Sequence, residues 1–536
     1  MKGISLKAIF IILIVTLLGV AMYNNFFEKE EESSSINDFE KVGNEKVVST
    51  NLRIGVIELD NMNPILSNNK NVQDISRLIF DPLFTLTEEY KLKGILAEEC
   101  SKIQEKTYII KLKEDIRWHD GNKFDSSDVV FTIDMLKKIG TNSIYYYNIK
   151  DIIILEAVDE YTIKIELEKE TPYFEYNLIF PIISSKYFNE ENFWQESLNL
   201  NPIGTGVFYI SEVSDKNILL KRNEYNELSK MVKLDSITLN LYNSLSKTID
   251  AFNAEEIDLF TTSNKNIEEY INKTKYLSSE YINRNYYYLA LNCENRILKN
   301  KEVRQAINSS IDKDGIIKKV SNVEYKKSNF PLDFGSFAYD INSTVMAHDV
   351  NTAKRLLVEN GWNYSYKRWK KVVEQRYLKI ELDLLVNKSD NNMIKVANVI
   401  KEQLSKVGII INIKDLDKEK YNNYLENKKY EIVLINSNYG YSPSMQKFFG
   451  DNNISNYYNE EIKNILNEIG YITDENELKL KYSRLIEIYN DEVPYISLFF
   501  NTNTMIYSNS LKGTITPNSY NLFYNIQTWY REYDKK

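Results

Sequence analysis

Cysteine and histidine, on which many metal sites and small secreted folds depend, are almost missing from this chain. Its 536 residues include two cysteines, Cys100 and Cys293, and two histidines, His119 and His348, and no C-x-x-C pair occurs. A structural zinc site needs about four such ligands at short spacing, and a disulfide framework needs several cysteines. We therefore expect no disulfide-stapled fold, no metal site made by the protein alone and no cofactor.

An excess of basic residues is also missing. Lys and Arg number 67 against 76 Asp and Glu, a net charge of −9, so the bulk charge argues against nucleic-acid binding. Hydrophobic residues make up 43% and charged residues 27% of the sequence, which is typical of a folded globular protein. The length is several times what one small core needs, so we expect at least two lobes.

Only the N-terminus carries a long apolar run. Two lysines precede it and the next charge is Glu28, which leaves 20 uncharged residues, enough for a helix of roughly 30 Å. The run is either a signal peptide, with Gly-Val-Ala at 19–21 as a cleavage site, or an uncleaved anchor, which its length favours. We predict a membrane anchor at 1–27, a polar tether at 28–46 and an ectodomain outside the cell membrane.

The second half of the chain alternates short apolar runs with amphipathic stretches of helical period. This order of strand, helix, strand, helix and strand is typical of crossover units in a parallel sheet. Ligands bind beyond the carboxyl ends of such strands, so the loops 387–392 and 436–444 are candidate cleft loops. The predicted elements, in order, are 380–386, 391–407, 409–413, 418–427 and 430–435.

The first half is richer in strands. After a turn at 118–121, Asp125 and Asp128 have the spacing of a capping box that starts a helix. His119 lies in that turn and is interpreted as structural. Gly-Thr-Gly at 204–206 is interpreted as a turn rather than a phosphate loop, because no Lys-Ser/Thr follows and a strand comes next. The predicted strands are 53–58, 107–112, 162–167, 206–213, 218–222, 236–242 and 257–260.

Short motifs follow one another along the chain in a recognisable order. Together they resemble those of the family 5 extracellular solute-binding proteins of ABC importers, the oligopeptide, dipeptide and nickel receptor type. Val207 stands where that family has Pro. The motifs are N-M-N-P at 61–64, I-F-D-P-L-F at 79–84, R-W-H-D-G at 117–121, S-D-V-V-F at 127–131, G-T-G-V-F at 204–208, K-E-V-R-Q-A-I at 301–307 and V-P-Y-I-S-L at 493–498.

The resemblance implies an α/β fold of two lobes, periplasmic-binding-protein-like of class II, cluster C, with mixed sheets and an extra strand-rich subdomain in the first lobe. The chain is expected to cross between the lobes near 290–292 and 499–501, and hinge closure to enclose the ligand. The expected division is 47–83, 204–290 and 502–536 for the core of lobe I, 84–203 for the inserted subdomain, and 291–501 for lobe II.

One departure from the family pattern concerns the ligand. Members that take up peptides commonly carry W-x-x-D-Y-x-D-P in the last α/β lobe, where the first Asp pairs with the α-ammonium of the peptide. In this chain Ser437 stands at the Trp and Gly440 at that Asp, while Tyr441 is retained. A buried ammonium without a counter-ion is costly, so a ligand with a free amino terminus needs another carboxylate.

The candidate binding residues are chosen by their positions in the fold that the family resemblance implies. Glu58 and Asp60 follow the first strand and are the carboxylates that could replace the missing one, although a surface-loop position is an equal alternative for both. The residues expected to line the cleft are Glu58, Asp60, Asn438, Tyr439, Tyr441 and Asn501.

The sequence predicts a binding protein and not an enzyme, since it contains no visible catalytic triad, metal motif or nucleotide loop. We expect a monomer that captures an oligopeptide or similar polar solute and delivers it to ABC permease subunits, with its N-terminal helix in the membrane. Two alternatives stay open. The cleft could hold a metal chelate or haem, or the chain could be a sensing or degenerate binding protein without a permease.

Overall fold

The computed structural model describes residues 46–264, 266–272, 274–320, 325–332, 335–339, 347–472 and 474–534. Val48–Glu532 forms one large compact unit. The predicted membrane anchor at 1–27 lies outside the described residues, as does the predicted tether except for its last residue. Within the described ranges, no helix combines the length and the apolar character that crossing a bilayer requires.

Strands and helices alternate along most of the chain. The strands are β1 (Lys46–Ser49), β2 (Asn51–Ile57), β3 (Phe84–Leu86), β4 (Leu92–Gly94), β5 (Ala97–Gln104), β6 (Thr107–Leu112), β7 (Ile152–Asp159), β8 (Thr162–Leu167), β9 (Phe208–Val213), β10 (Asn217–Arg222), β11 (Ser236–Tyr242), β12 (Leu259–Thr262), β13 (Tyr276–Leu291), β14 (Tyr325–Lys327), β15 (Asn363–Ser365), β16 (Arg368–Val373), β17 (Arg376–Lys379), β18 (Glu381–Asn387), β19 (Ile410–Leu416), β20 (Ile432–Asn438), β21 (Tyr495–Ser508), β22 (Leu511–Lys512) and β23 (Tyr530–Asp534). The α-helices are α1 (Lys70–Ile79), α2 (Ser126–Ile139), α3 (Tyr146–Ile149), α4 (Glu196–Leu200), α5 (Leu245–Asn253), α6 (Lys301–Ser310), α7 (Lys313–Val320), α8 (Val350–Glu359), α9 (Asn391–Val407), α10 (Lys418–Glu426), α11 (Gln446–Phe449), α12 (Glu460–Glu468) and α13 (Glu475–Glu492).

One mixed sheet of eleven strands runs through both halves of the molecule. Its order is β19-β18-β20-β13-β21-β12-β2-β11-β10-β9, and β14 pairs with β21. At one end β18 is parallel to β19 and β20, and towards the other end β2 is parallel to β11 and β12. β13 and β21, between them, are antiparallel to their neighbours. The predicted strand-helix order of the second half is confirmed as β18, α9, β19, α10 and β20.

Helix α9 shows why the sequence pattern was sufficient to predict the elements of the second half. The side chain of Asp390 accepts hydrogen bonds from the backbone N–H groups of Asn392 and Met393 at 2.9 and 3.0 Å, which caps the first turn. Gly408 ends the helix with φ of +89°, a conformation that glycine adopts at little cost. Between these ends the helix buries one apolar face against β18 and β19, so cap, stop signal and apolar stripe agree.

Two large apolar cores lie along the sheet. The first core takes its residues from 52–239 and 505–529, with Leu259 and Tyr281, and the second core takes its residues from 282–500. β13 and β21 carry the chain from one core to the other. Ile282 already packs in the second core, whereas the crossing was expected at 290–292. The register between β13 and β21 shifts between Ile282 and Tyr286, so the irregularity marks the passage.

The stretch expected to form an inserted subdomain contains a four-stranded antiparallel sheet, β5-β6-β8-β7. The predicted capping box at the start of α2 is confirmed. The side chain of Asp125 accepts from the N–H of Ser127 at 2.9 Å, and Asp128 Oδ2 accepts from the N–H of Asp125 at 3.1 Å. Asp128 is fully buried and also accepts from Trp118 Nε1, so this cap fixes the 118–121 turn as well.

His119 is confirmed as a structural residue. Its Nδ1 accepts a hydrogen bond from the N–H of Gly204 at 3.0 Å, so the proton is on Nε2, which lies 3.2 Å from the carbonyl oxygen of Gly206. Burial lowers the pKa of His119 to about 4. A Cβ on Gly204 would lie 1.9 Å from the carbonyl oxygen of Ile79, so this turn is a close backbone contact with α1 and not a phosphate loop.

Candidate functional site: a tyrosine and arginine cluster between the two cores

The loop that follows β20 reaches from the second core to the first. Tyr441 in this loop donates its hydroxyl hydrogen to the carbonyl oxygen of Ser519 at 2.6 Å. Its ring centre lies 5.2 Å from that of Tyr520, edge to face, and 6.0 Å from that of Tyr90, stacked. Tyr90 and Tyr520 belong to the first core, so Tyr441 joins the two halves of the molecule.

The two loops that the topology singled out adjoin each other. Asn436 Nδ2 donates to Asp390 Oδ2 at 2.9 Å, which joins the end of β20 to the end of β18. Asn436 Nδ2 also lies 3.0 Å from the hydroxyl oxygen of Tyr287 on β13. The carboxyl ends of these parallel strands therefore meet beside the crossing strands, as expected for a ligand site in an open α/β sheet.

Arg284 lies where β13 passes between the cores. It is 4% exposed and has a φ of +72°, an unusual conformation for a residue with a side chain. Its Nε donates to the carbonyl oxygen of Tyr439 at 2.8 Å, and Nη2 donates to that of Gly440. The guanidinium carbon lies 4.2 Å from the centre of the Tyr441 ring. A cation thus holds the loop at Gly440, where the family pattern places a carboxylate.

Helix α1 contributes charged side chains to the same cluster. Arg77 Nη1 donates to the carbonyl oxygen of Ile179 and to the hydroxyl of Tyr520, both at 3.0 Å. The guanidinium carbon lies 4.1 Å from the centre of the Tyr520 ring, a cation–π contact. Asp74, one turn earlier, is buried and paired with Lys70. Burial raises the pKa of the Asp74 carboxyl, although Lys70 opposes this rise.

Of the six residues expected to line the cleft, two belong to the tyrosine and arginine cluster. Tyr439 and Tyr441 belong to the cluster, and Tyr439 is buried with its hydroxyl donating to the carbonyl oxygen of Pro331. Asn438 is exposed at the end of β20. Asn501 lies on β21 opposite Tyr325, and within the described structure its buried Oδ1 has no hydrogen-bond partner.

Glu58 and Asp60 lie in the loop after β2, and their contact with a solute stays a prediction. Both are exposed, and Asp60 Oδ1 accepts from the hydroxyl of Ser67 at 2.6 Å within their own loop. The backbone carbonyl of Glu58 accepts from Asn69 Nδ2 at 2.8 Å. These contacts fix the loop after β2, and neither carboxylate takes part in a contact found for the cluster.

No arrangement of metal ligands accompanies the cluster. Among the residues that the structure describes, no group of three or more His, Cys, Asp or Glu side chains could hold a metal ion. Cys100 packs against the first core and Cys293 against the second, and both are free thiols. The chemistry of the site is therefore that of aromatic faces, hydroxyl groups and two guanidinium groups, which suits binding.

Known proteins resemble this chain over most of its length. The family model described as bacterial extracellular solute-binding proteins, family 5 middle, matches residues 91–483. The oligopeptide-binding protein AppA of Bacillus subtilis is 22% identical over 494 residues, which are 87% of this chain and 89% of AppA. The glutathione-binding protein GsiB of Escherichia coli is 24% identical over 489 residues, 84% of this chain and 89% of GsiB.

Solved structures share the fold. The unliganded open form of the periplasmic murein tripeptide-binding protein MppA has a TM-score of 0.74 at 18% identity and covers 91% of this chain and 99% of its own. NikZ of Campylobacter jejuni in complex with Ni(L-His) has a TM-score of 0.60 at 24% identity, covering 90% of this chain and 100% of its own. The expected two-lobed α/β fold class is confirmed, and so is the prediction of a binding protein rather than an enzyme.

Proposed function

Because the chain belongs to family 5 of the bacterial extracellular solute-binding proteins of ABC importers, we propose that it captures an oligopeptide or similar polar solute between its two lobes and delivers it to the permease subunits. The observation that carries this proposal is the contact of Tyr441, in the loop that follows β20 of the second core, with Tyr520 and Ser519 of the first. A clamp needs such a contact, since closure must join residues of both lobes around the solute.

The relatives support a peptide as the solute, since AppA and OppA of Bacillus subtilis are named for oligopeptides and GsiB for glutathione. The site itself argues against one feature of peptide recognition. The guanidinium of Arg284 donates to the carbonyl oxygen of Gly440, and position 440 itself offers a peptide ammonium group no carboxylate. We infer that the solute is oriented differently here from its orientation in relatives that carry the loop carboxylate.

The lobe boundaries are also a proposal. We place the core of lobe I in 47–83, 204–281 and 502–536, the inserted subdomain in 84–203, and lobe II in 282–501. This division differs from the sequence-based one only in the first crossing, and the change of core between Tyr281 and Ile282 supports it.

We further propose that the chain acts as a monomer held outside the cell by its N-terminal helix. Support for the helix comes from the 20 uncharged residues after two lysines. Detection of a mature protein that starts near Met22 would overturn the anchor.

A melting experiment on the full chain in detergent tests the solute proposal. A solute at about 100 times its dissociation constant stabilises the folded state by about 2.7 kcal/mol, so the melting temperature rises. The additions are a pool of tri- to pentapeptides, glutathione and a nickel–histidine chelate. A rise with peptides supports the proposal, a rise with the chelate alone supports the chelate alternative, and no rise with any addition contradicts both.

A further inference from the structure

Arg77 has guanidinium N–H groups that lack a hydrogen-bond partner among the described residues. Its Nη1 donates to two neutral oxygens, the carbonyl of Ile179 and the hydroxyl of Tyr520. Nε and Nη2, which together carry three N–H groups, make no hydrogen bond to any residue in the described part of the chain, and no carboxylate there forms an ion pair with the guanidinium. The side chain is partly buried, so water compensates for this only in part.

The nearby acids have other partners. Asp74 is paired with Lys70 on the same helix face, and Asp81 Oδ2 accepts a hydrogen bond from the hydroxyl of Thr205 at 3.0 Å. Burial by itself lowers the pKa of the Arg77 guanidinium, but Tyr520 and other neighbours outweigh burial and the pKa is raised. Arg284 adds a second guanidinium beside Tyr441.

We propose that Arg77 binds a carboxylate group of the captured solute through its Nε and Nη2 N–H groups, an inference that rests on the solute-binding function proposed above. The two nitrogens form a planar fork whose spacing matches the two oxygens of a carboxylate. The Tyr520 ring covers one face of the guanidinium, 4.1 Å from the guanidinium carbon, and partial burial strengthens a charge-assisted hydrogen bond. The solute class is therefore a peptide or related molecule in which a free carboxylate is recognised from lobe I.

A comparison of peptide acids with the matching peptide amides measures how much the solute carboxylate contributes to binding. Affinities of the full chain are measured for a pool of tri- to pentapeptides with free C-terminal carboxylates and for the same pool with C-terminal amides. Each pool is tested with the wild type and with two variants. Arg77→Met removes the charge, and Arg77→Lys keeps the charge but lacks the two-nitrogen fork of the guanidinium. Arg117→Met is the matched control, because Arg117 also donates to a carbonyl oxygen but lies on an exposed turn away from the cluster.

The wild type and Arg117→Met are expected to bind the acid pool about tenfold more tightly than the amide pool. This preference should be lost in Arg77→Met and reduced in Arg77→Lys, with inorganic phosphate competing only where Arg77 is present. Equal binding of both pools by the wild type, or a preference that persists in Arg77→Met, overturns the role of Arg77 while solute binding stands. Binding of neither pool by the wild type overturns the peptide proposal itself, and the inference with it.

Discussion

The guanidinium carbon of Arg284, on the strand that joins the two cores, lies 4.2 Å from the centre of the ring of Tyr441, in the loop after β20 that packs against the first core. Through this contact the crossing strand, the loop and the tyrosines of the first core form one cluster. We therefore expect closure of the lobes around a solute, as proposed above, to alter this cluster.

Arg284 is expected to stabilise the loop despite its strained backbone. Arg284→Ala should lower the free energy of unfolding by about 3 kcal/mol, because two charge-assisted hydrogen bonds to loop carbonyls are lost. Arg284→Gly should be about 1 kcal/mol more stable than Arg284→Ala, since glycine adopts a φ of +72° without the cost that Cβ imposes. Guanidinium chloride unfolding measures both, and an alanine variant as stable as the glycine variant would count against strain at this position.

The hydroxyl of Tyr441 is expected to favour the closed arrangement. Tyr441→Phe keeps the ring and removes the hydrogen bond to Ser519, so closure should weaken by about 1 kcal/mol and solute affinity should fall about fivefold. Tyr377→Phe is the control, because Tyr377 is 74% exposed and lies outside the cluster. Calorimetric titration with the peptide pool measures the affinities, and equal losses in both variants would exclude a specific role for the Tyr441 hydroxyl.

His119 should make stability depend on pH below neutrality. Its pKa is about 4 in the folded protein, below its ordinary value, so the unfolded chain binds more protons between the two pKa values. The free energy of unfolding should fall as the pH decreases from about 6.5 to about 4, by at most about 3 kcal/mol from this group. Below about pH 4 the contribution of His119 to the free energy of unfolding no longer changes with pH.

The comparison is between the wild type and His119→Gln by chemical unfolding at a series of pH values. The variant should show a shallower decrease through the window, and the difference between the two proteins should be independent of pH above about 7.5. Parallel curves over the whole range would show that His119 is not held neutral.

The Gly-Thr-Gly turn should tolerate no side chain. Gly204→Ala would place Cβ 1.9 Å from the carbonyl oxygen of Ile79, and backbone atoms must move to relieve this overlap. We expect a loss of about 3 kcal/mol in the free energy of unfolding. Gly440→Ala is the control, since nothing lies within 4 Å of a Cβ built there, and its stability should match the wild type. A thermal or denaturant melt of both variants checks the contrast.

The sequence was most informative where one element carries its own signals. Helix α9 could be placed because Gly408 and an apolar stripe mark it locally, and Tyr439 and Tyr441 could be selected because they directly follow a strand of the predicted parallel sheet. Such inferences need only neighbours in the chain.

The rest of the site depends on partners that are distant in the chain. Arg77 and Tyr520 are separated by 443 positions, and Arg284 and Tyr439 by 155. No periodicity within a single sequence encodes such pairs, so both arginines were missed. A signal did exist for Arg284, namely a charged residue two positions before the run of three tyrosines and three aliphatic residues at 286–291. Glu58 and Asp60 were selected from their chain position, which could not show that the Asp60 carboxylate accepts a hydrogen bond from Ser67 within its own loop.

The central claim is that a solute is held without modification between the lobes, and native mass spectrometry of the full chain tests it most directly. After gentle purification in detergent and incubation with the oligopeptide pool, we predict a species heavier than the chain by the mass of one peptide, which collisional activation releases unchanged. A chain that shows only its own mass before and after incubation, or a peptide recovered in cleaved form, would contradict the account.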